Sequence, residues 1–471
     1  MRESCGVFGI YNFDKKNIVK NIYLGLMSLH HRGQESAGIS LWSKSRIKTG
    51  KVYGLANEKL FAKMEKFNSK VGIGHVRYST AGSSTLKDAQ PISNGNLSIA
   101  HNGNLVNNVQ LRKQLIRDGI ELKTRSDSEL ILSLLTSEKD RTGDLFETIK
   151  NSFVKLEGAF SLILLTNDGK IIAIRDPFGF RPLCEGEADG VVAFSSESIA
   201  LDINDMNLSR DIQPGEMVIV DENGVQRKRY ASYNRRSHCM FEYVYFSRAD
   251  SILDGRSVYR IRFKLGINLA KTYETDADVI IPVPDTSRTA AEGLSHESGV
   301  PVAEGLIKNR YVQRTFIMPK QKQRDGAVRI KLNPLKTVLS GKRVLLVDDS
   351  IVRGTTLRNI VSMIRKSGAK EVHLRITCPP IISPCFYGID IAFHEELIAV
   401  NKTLEEIRKT FMADTLGYQK IEGLIDAIGM PKEDLCLGCL TGQYPTPMAQ
   451  ELSCKLKGIA RRKRTRYWEE N

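Results

Sequence analysis

Short apolar runs separated by polar turns dominate the first half of the chain. Eight of these runs have the length of β-strands: residues 5–11, 37–42, 71–78, 97–101, 160–166, 171–175, 191–195 and 217–220. Between the first two, apolar residues recur at helical spacing from Ile18 to Leu29. Consecutive strands with few helices between them predict packed, largely antiparallel sheets with the helices outside.

The second half alternates strands with helices. Strands are predicted at residues 279–283, 302–307, 344–347 and 372–376, with a helix at 289–298. Another helix, beginning near residue 355, is expected to stop at Gly368 after Arg365 and Lys366, because cations and glycine are favoured at helix ends. This alternation predicts a parallel sheet with ligands at the carboxyl ends of its strands. The basic stretch 227–237 is interpreted as the junction between the halves.

Length and composition indicate a globular protein of at least two domains. The chain has 471 residues, of which 41% are hydrophobic and 26% charged. Its apolar runs fall short of the roughly 18 residues that cross a bilayer, and its first residues do not resemble a signal peptide. We therefore expect no membrane association and a cytoplasmic location, where the eight cysteines would stay reduced.

A formal net charge of +15 indicates an anionic partner. Nucleic acid and a substrate with several phosphates are both compatible with it, since the charge of a whole chain does not distinguish them. The densest basic cluster, residues 455–466, is interpreted as a solvated terminal segment. Because zinc-finger spacing and the aromatic pattern of RNA-binding sheets are both missing from the sequence, we do not expect nucleic acid as a partner.

The segment 344–356 carries the sharpest chemical pattern in the second half. Four apolar residues end in Asp348 and Asp349, and a short loop with Gly354, Thr355 and Thr356 then opens a helix. Backbone N–H groups and hydroxyls at a helix N-terminus bind anions, and paired carboxylates suit ribose hydroxyls and Mg²⁺. The alternative is that the carboxylates only cap the helix, although capping needs one acidic residue rather than two.

This segment resembles the phosphoribosyl pyrophosphate motif of type I phosphoribosyltransferases. The resemblance implies that Asp348 and Asp349 bind ribose and Mg²⁺, while the loop surrounds the 5′-phosphate through Ser350, Arg353, Gly354, Thr355 and Thr356. Residues 282–288 resemble the pyrophosphate loop of that family, with Thr286 on Mg²⁺, and residues 308–311 resemble its lid, with Lys308 and Arg310 on pyrophosphate. Taken alone, these two segments could be an ordinary turn and a basic loop.

The interpretation of Cys5 depends on the segments that follow it. A single cysteine near an N-terminus is more often an inert buried thiol. Here, however, several segments resemble the N-terminal-nucleophile glutamine amidotransferases, and the resemblance covers most of residues 5–230. They are residues 5–9 (CGVFG), 31–38 (HRGQESAG), 74–80 (GHVRYST), 101–104 (HNGN) and 126–129 (SDSE).

The resemblance implies a complete glutaminase. A terminal Cys5 has its own α-amino group as base, with a pKa of about 7.7–8. Arg77 would bind the carboxylate of glutamine, Asp127 its ammonium, and Asn102 with the Gly103 N–H would stabilise the oxyanion. Asn102 and Gly103 could instead form only a tight turn. Because residues 1–4 precede Cys5, they are expected to be a propeptide cleaved between Ser4 and Cys5.

Four cysteines are candidate ligands of a metal cofactor. Cys436 and Cys439 have metal-ligand spacing, although a redox pair or chance would produce it too. The contexts of Cys239, Cys385 and this pair resemble the iron–sulfur-containing branch of amidophosphoribosyltransferases, which implies a [4Fe–4S] cluster on the four thiolates. Zn²⁺ on the same ligands and free buried thiols remain alternatives. Cys184, Cys378 and Cys454 lack such a context and are expected to be packing residues.

Both halves together resemble the glutamine-dependent amidophosphoribosyltransferases. The expected fold is a two-domain α/β architecture, an N-terminal-nucleophile αββα glutaminase sandwich plus a type I phosphoribosyltransferase parallel sheet. The domains are expected at residues 5–235 and 236–471, with the C-terminal segment bound to the cluster. The implied reaction makes 5-phosphoribosylamine, glutamate and pyrophosphate, the entry step of purine synthesis, in a homo-oligomer (dimer or tetramer) inhibited by purine nucleotides.

Two rival functions follow from the same residues. One is a different glutamine amidotransferase that makes asparagine or glucosamine phosphate, against which the 344–356 motif speaks. The other is a non-catalytic regulator that binds phosphoribosyl pyrophosphate and nucleic acid, for which a full set of glutaminase residues would have no purpose.

Overall fold

A computed structural model describes most of the chain. The described residues are 5–78, 85–232, 235–274, 276–309, 332–391 and 393–456. The proposed propeptide, Arg310 and most of the basic tail lie outside them.

The first half forms two antiparallel sheets. Its strands are β1 Gly6–Asn12, β2 Ser36–Ser43, β3 Arg46–Tyr53, β4 Val71–Arg77, β5 Ile92–Ser93, β6 Leu97–Leu105, β7 Gly158–Thr166, β8 Ile171–Arg175, β9 Cys184–Ala188, β10 Val191–Ser195, β11 Asn207–Asp211, β12 Glu216–Asp221 and β13 Gly224–Arg229. One sheet has the order β11-β9-β10-β1-β4-β2-β3, and the other β13-β12-β8-β7-β6-β5.

Helices cover the outer face of each sheet. They are α1 Val19–Ser28, α2 Glu58–Glu65, α3 Asn108–Arg117, α4 Asp127–Thr142, α5 Leu145–Phe153 and α6 Ile199–Asp202. Along β1, Val7 and Tyr11 pack between the sheets while Phe8 and Ile10 pack under the helices. Strands buried on both faces read as continuous apolar runs rather than alternating ones. The predicted αββα sandwich is therefore confirmed.

The expectation of few helices in this half was wrong. Helices α2 and α5 are short and begin at the side-chain caps Asn57 and Asp144. Short helices without a long apolar stripe give a weak periodic signal, and capping is a local feature that periodicity does not register. Strands β3 and β13 were missed because they are partly exposed and rich in charged residues.

The second half is built on a parallel sheet. Its strands are β14 His238–Cys239, β15 Ile252–Leu253, β16 Arg256–Ser257, β17 Val279–Pro282, β18 Leu306–Lys308, β19 Leu332–Pro334, β20 Arg343–Asp348, β21 Glu371–Ile376, β22 Thr415–Tyr418 and β23 Leu435–Cys436. The order β17-β20-β21-β22, parallel throughout, confirms the predicted sheet. The strand predicted at 302–307 was wrong, because Val302 makes a single bridge to Ile280 while β18 pairs antiparallel with β19.

The second half also contains helices, some of which pack on the two faces of this sheet. They are α7 Val258–Thr272, α8 Arg288–Ser298, α9 Lys336–Leu339, α10 Thr355–Lys366, α11 Ile398–Asn401, α12 Leu404–Phe411, α13 Ile421–Ile428, α14 Gly438–Thr441 and α15 Pro447–Leu456, with a π-helical turn at Glu242–Phe246 and 3₁₀ turns at His394–Glu396 and Lys432–Asp434. Leu345 and Val347 face α7 and α8, whereas Val344 and Leu346 face α10.

The two halves share one apolar cluster. Val106, Ala159 and Phe180 of the sandwich pack there with residues of the second half such as Phe241 and Phe386. The last strand of the sandwich ends at Arg229, inside the basic stretch 227–237, so the boundary at 235/236 stays a prediction. Within the described part of the chain, no helix has the length and apolar character needed to span a membrane.

We predict that Gly293→Ala weakens the contact between α7 and α8. A Cβ at Gly293 would lie 1.9 Å from the carbonyl oxygen of Phe263, so the two helices must separate. The expected loss in free energy of unfolding by urea titration is about 1–3 kcal/mol. The exposed Glu297 on the same helix provides the control, since Glu297→Ala should change it by less than about 0.5 kcal/mol. Equal stabilities of the two variants would contradict this packing.

Candidate active site

Cys5 stands at the head of β1, in the middle of the larger sheet. Strand β1 pairs with β10 on one side and β4 on the other, which fixes the start of the strand laterally. The half-buried Cys5 thiol donates to the carbonyl oxygen of Tyr78 at 3.6 Å. Burial raises the pKa of this thiol, while the neighbouring Arg77 guanidinium lowers it and the Asp127 carboxylate raises it.

The fold therefore brings Arg77 and Asp127 to the thiol. Arg77 is the last residue of β4, next to β1. Asp127 is the first residue of α4, and its Oδ2 accepts from the Leu105 N–H at 3.1 Å. A cation and an anion on either side of Cys5 could receive the carboxylate and the ammonium of an amino acid. Their assignment to glutamine stays a prediction.

Asn102 and Gly103 lie inside β6, paired with Ser161 and Phe160 of β7. The alternative that they form only a tight turn is therefore wrong. Asn102 is buried. A side chain at Gly103 would place its Cβ 1.9 Å from the carbonyl oxygen of Ala159, so the position requires glycine.

Sequence reasoning missed Arg32, which holds the backbone of Cys5. Its Nε donates to the Cys5 carbonyl oxygen at 3.0 Å, and its guanidinium pairs with the carboxylates of Glu197 and Glu242. Burial alone would lower the pKa of Arg32, but these two carboxylates raise it above its usual range. The signal was present, since Arg32 belongs to the segment 31–38, but its partners lie far along the chain.

Two buried histidines support the same site. His75 Nε2 lies 3.1 Å from the carbonyl oxygen of His101, and His101 Nδ1 lies 3.2 Å from Ser128 Oγ. Burial lowers the pKa of both rings, that of His75 to about 3. The lowered pKa favours the neutral form of both rings, which link β4 to β6 and β6 to α4 as structural supports.

The paired aspartates lie at the carboxyl end of β20, between β17 and β21. Thr286 Oγ1 donates to Asp349 Oδ2 at 2.6 Å, and the Ser350 hydroxyl donates to Asp349 Oδ1. The 282–288 loop therefore contacts the aspartates, while the predicted binding of Mg²⁺ by Thr286 stays a prediction. Helix α10 is capped by Gly354 without a side-chain hydrogen bond, so the alternative that the aspartates only cap this helix is wrong.

The electrostatics of the pair favour a cation. Burial raises the pKa of both carboxyls, and the charge of Asp349 raises that of Asp348 further. In the described residues, no group of three or more His, Cys, Asp or Glu side chains is arranged to hold a metal ion. Mg²⁺ needs only one or two carboxylates when substrate phosphates and water complete its coordination, and the pair fits this requirement.

The loop after the aspartates is open to an anion. Thr355 and Thr356 are exposed at the start of α10. Gly354 has a φ of +76°, and a Cβ there would lie 2.8 Å from the Phe411 ring. The Arg353 side chain forms an ion pair with Glu396, in which Nε lies 3.1 Å from Oε2.

The proposed pyrophosphate side borders a cavity of about 440 Å³ next to β18. Asp285, Arg288, Glu304, Lys308 and Asn333 are among its lining residues. Lys308 forms an ion pair with Asp285. The other predicted lid residue, Arg310, lies outside the described part of the chain.

The four predicted cofactor cysteines converge where the halves meet. Cys239 lies opposite Cys436 in the β14–β23 pair, and Cys385 Sγ accepts from the Tyr387 N–H at 3.4 Å. Burial raises the pKa of Cys439, and the neighbouring Cys385 and Cys436 raise it further. All eight cysteines are free thiols. Cys184 and Cys378 are buried packing residues as predicted, but Cys454 is exposed, so that prediction was wrong.

Both halves match known domain families. Residues 75–202 match the glutamine amidotransferase domain and residues 248–381 the phosphoribosyl transferase domain. The amidophosphoribosyltransferase of Methanocaldococcus jannaschii is 50% identical over 462 residues, covering 94% of this chain and 98% of the relative. That of Bacillus subtilis is 44% identical over 461 residues, covering 96% of each chain. The chain belongs to the amidophosphoribosyltransferase family.

Solved structures of this family have the same fold. The B. subtilis glutamine phosphoribosylpyrophosphate amidotransferase, complexed with ADP and GMP, superposes with a TM-score of 0.87 at 43% identity, covering 94% of this chain and 98% of that one. As a member of the family, the chain is an enzyme with a glutamine amidotransferase and a phosphoribosyl transferase domain. The second match excludes the rival amidotransferases that make asparagine or glucosamine phosphate, since neither chemistry uses an activated ribose.

We predict that His75 makes the enzyme less stable in acid. Its pKa is about 3 when folded, against about 6.5 when unfolded, so the unfolded chain binds the extra proton. This contribution to stability is complete above pH 6.5 and is lost as the pH falls towards 3. Between pH 7.5 and 5, wild type should lose roughly 2 kcal/mol more free energy of unfolding than His75→Gln. Parallel pH profiles from urea titration would refute the buried neutral ring.

Proposed function

We propose that this chain transfers ammonia from glutamine to phosphoribosyl pyrophosphate, forming 5-phosphoribosylamine, glutamate and pyrophosphate. This reaction is the first step of de novo purine biosynthesis. The observation that carries the proposal is the presence of two candidate sites in one chain: Cys5 near Arg77 and Asp127, and Asp348–Asp349 beside Thr286. The similarity to amidophosphoribosyltransferases over nearly the whole chain supports it.

In the glutaminase half, Cys5 is proposed as the nucleophile. Once residues 1–4 are removed, its α-amino group takes the thiol proton, and the sulfur attacks the amide carbon of glutamine. Arg77 binds the α-carboxylate and Asp127 the α-ammonium of that substrate. The Asn102 amide and the Gly103 N–H stabilise the oxyanion of the tetrahedral intermediate, because rigid donors there need no reorganisation as charge develops.

In the phosphoribosyl half, the ribose is proposed to lie over Asp348 and Asp349. These carboxylates and Thr286 would hold Mg²⁺, which would supply positive charge to neutralise the departing pyrophosphate. Ser350, Arg353, Gly354, Thr355 and Thr356 surround the 5′-phosphate at the start of α10, where N–H groups point outward. Lys308 and Arg310 bind pyrophosphate and exclude water from the anomeric carbon.

Ammonia is proposed to pass between the sites inside the protein. Ammonia that enters bulk water at neutral pH is mostly protonated and therefore not nucleophilic. Transfer through bulk water would leave most of it unable to react at the second site. The sandwich and the second half share a buried apolar cluster, which supports contact between the halves that excludes water.

We predict that Cys5→Ala separates the two activities. The variant should lose pyrophosphate release with glutamine by at least about 10³-fold, since the nucleophile is gone, yet keep release with ammonium salts. Asp349→Asn is the matched control and should lose both activities, because it changes the shared phosphoribosyl site.

Intact-mass measurement should show that active wild-type enzyme begins at Cys5. Loss of both activities in a folded Cys5→Ala protein would break the two-site account.

A [4Fe–4S] cluster is proposed on Cys239, Cys385, Cys436 and Cys439. Support comes from the convergence of the half-buried Cys239 with the buried Cys385, Cys436 and Cys439. Burial and neighbouring cysteines raise the pKa of Cys436 and Cys439, which favours a cation that binds thiolates. The cluster would join β14 of the second domain to its C-terminal segment.

We predict visible absorbance near 400 nm in anaerobically purified protein, together with stoichiometric iron and sulfide. Cys436→Ser should lose this absorbance because it removes one ligand, whereas Cys184→Ser, at a buried cysteine outside the group, should keep it. A colourless protein that contains only zinc would refute the cluster and favour the tetrahedral alternative.

The remaining proposals concern partners and location. We propose a homo-oligomer, a dimer or tetramer, in the cytoplasm, where its free thiols stay reduced. Purine nucleotides are proposed as inhibitors, supported by the B. subtilis structure that contains ADP and GMP. The domain boundary is proposed at 235/236, between β13 and β14.

A further inference from the structure

A buried chain of charges crosses from Cys5 into the second half of the protein. Arg32, whose side chain is fully buried, donates from Nε to the Cys5 carbonyl oxygen. Its Nη2 donates to both carboxylate oxygens of Glu242, each at 2.9 Å. Glu242 belongs to the π-helical turn Glu242–Phe246, which follows β14 and lies beyond the last strand of the sandwich.

Glu242 is itself held from several sides. Arg181 of the sandwich donates to its Oε1 at 2.9 Å and to the carbonyl oxygen of Tyr387 at 2.7 Å. The Ser247 hydroxyl donates to its Oε2 at 3.0 Å. The side chain of Glu242 is 3% exposed. A carboxylate with this many donors in a dry environment has little freedom to move.

We infer that Glu242 is a positioning residue for the nucleophile, supplied to the glutaminase site by the phosphoribosyl half. The inference rests on the proposed function. The Cys5 carbonyl group anchors the Cα atom from which both the thiol side chain and the α-amino group extend. Only Arg32 binds this carbonyl in the described structure, and Glu242 sets the orientation of the Arg32 fork.

Arg32 has a second carboxylate, Glu197, which does not replace Glu242. Glu197 also accepts from Ser251 Oγ at 2.6 Å and the Arg248 N–H at 3.0 Å, and it lies 2.7 Å from His31 Nε2. It contacts Arg32 at Nη1, whereas Glu242 takes the Nη2 side with both oxygens. A planar guanidinium that loses one of its two carboxylates can tilt about its remaining contacts, while two carboxylates fix its plane.

The chain offers a matched control in Glu185. This buried glutamate also accepts from two arginines, Arg210 and Arg227, but it lies on β9, which β10 separates from β1. Replacing either glutamate by glutamine removes one buried charge that two guanidiniums share. Only Glu242→Gln also loosens the group that holds the nucleophile.

The test compares Glu242→Gln, Glu185→Gln and wild type in full-length enzyme. Glutamine-dependent kcat/KM should fall by about 10- to 100-fold in Glu242→Gln, because small misplacements of a reacting group cost this much. Ammonia-dependent pyrophosphate release should stay within about twofold. Glu185→Gln should leave both unchanged.

A second readout follows the thiol directly. Cys5 is labelled with 6-diazo-5-oxo-L-norleucine, a glutamine analogue that reacts only in the aligned site, and in parallel with iodoacetamide, which does not need that alignment. The readout is the labelling rate with the analogue divided by the labelling rate with iodoacetamide. This ratio should fall about tenfold in Glu242→Gln and not in the control.

If Glu242→Gln does not fold, Arg32→Lys provides a second variant. It keeps the positive charge but loses the forked guanidinium, and it should show the same selective loss of glutamine-dependent activity.

Equal losses of glutamine- and ammonia-dependent activity, or an unchanged labelling ratio, would overturn the inference and leave Glu242 a structural residue only. A wild-type enzyme that neither uses glutamine nor reacts with the analogue would refute the proposed glutaminase itself, and the inference with it.

Discussion

The burial of charge between the two halves is the constraint on which the rest of the structure depends. Arg32, Arg181 and Glu242 lie together with almost no exposure to solvent. An unpaired charge in such a place costs several kcal/mol, so each half needs the other to satisfy its charged groups. The two halves are consequently held together at one junction, and the positions of both sites depend on it.

Strand ends define both sites. Cys5 precedes β1 and Arg77 ends β4, two adjacent antiparallel strands in the middle of the sheet, so the two residues lie at the same end of these strands. Asp348 ends β20 in the parallel sheet, where the following loop turns directly into α10. Rigid strands fix these positions, while loops such as 350–354 keep the backbone groups that substrates bind accessible. In each half, the strands therefore provide the stable framework and the loops carry the groups that bind substrate.

Much of this could be predicted from the sequence because the decisive patterns are local. The apolar runs of β1, β7 and β20 are buried on both faces, and the carboxylates follow β20 directly. Contacts between distant residues could not be predicted. Arg32 reaches Glu242 across 210 positions, and no local pattern distinguishes a glutamate in such a pair from one in solvent. Cys454 was misjudged for the same reason, since exposure depends on where α15 lies.

The central claim, that one chain passes ammonia from the Cys5 site to the Asp348–Asp349 site, has a direct test. Enzyme is given glutamine labelled with ¹⁵N in its amide group, together with excess unlabelled ammonium and phosphoribosyl pyrophosphate. Mass spectrometry of the trapped product then measures how much ¹⁵N the 5-phosphoribosylamine carries. The account predicts a ¹⁵N fraction far above that of the dissolved ammonia, and a product with the same ¹⁵N fraction as the solution would contradict it.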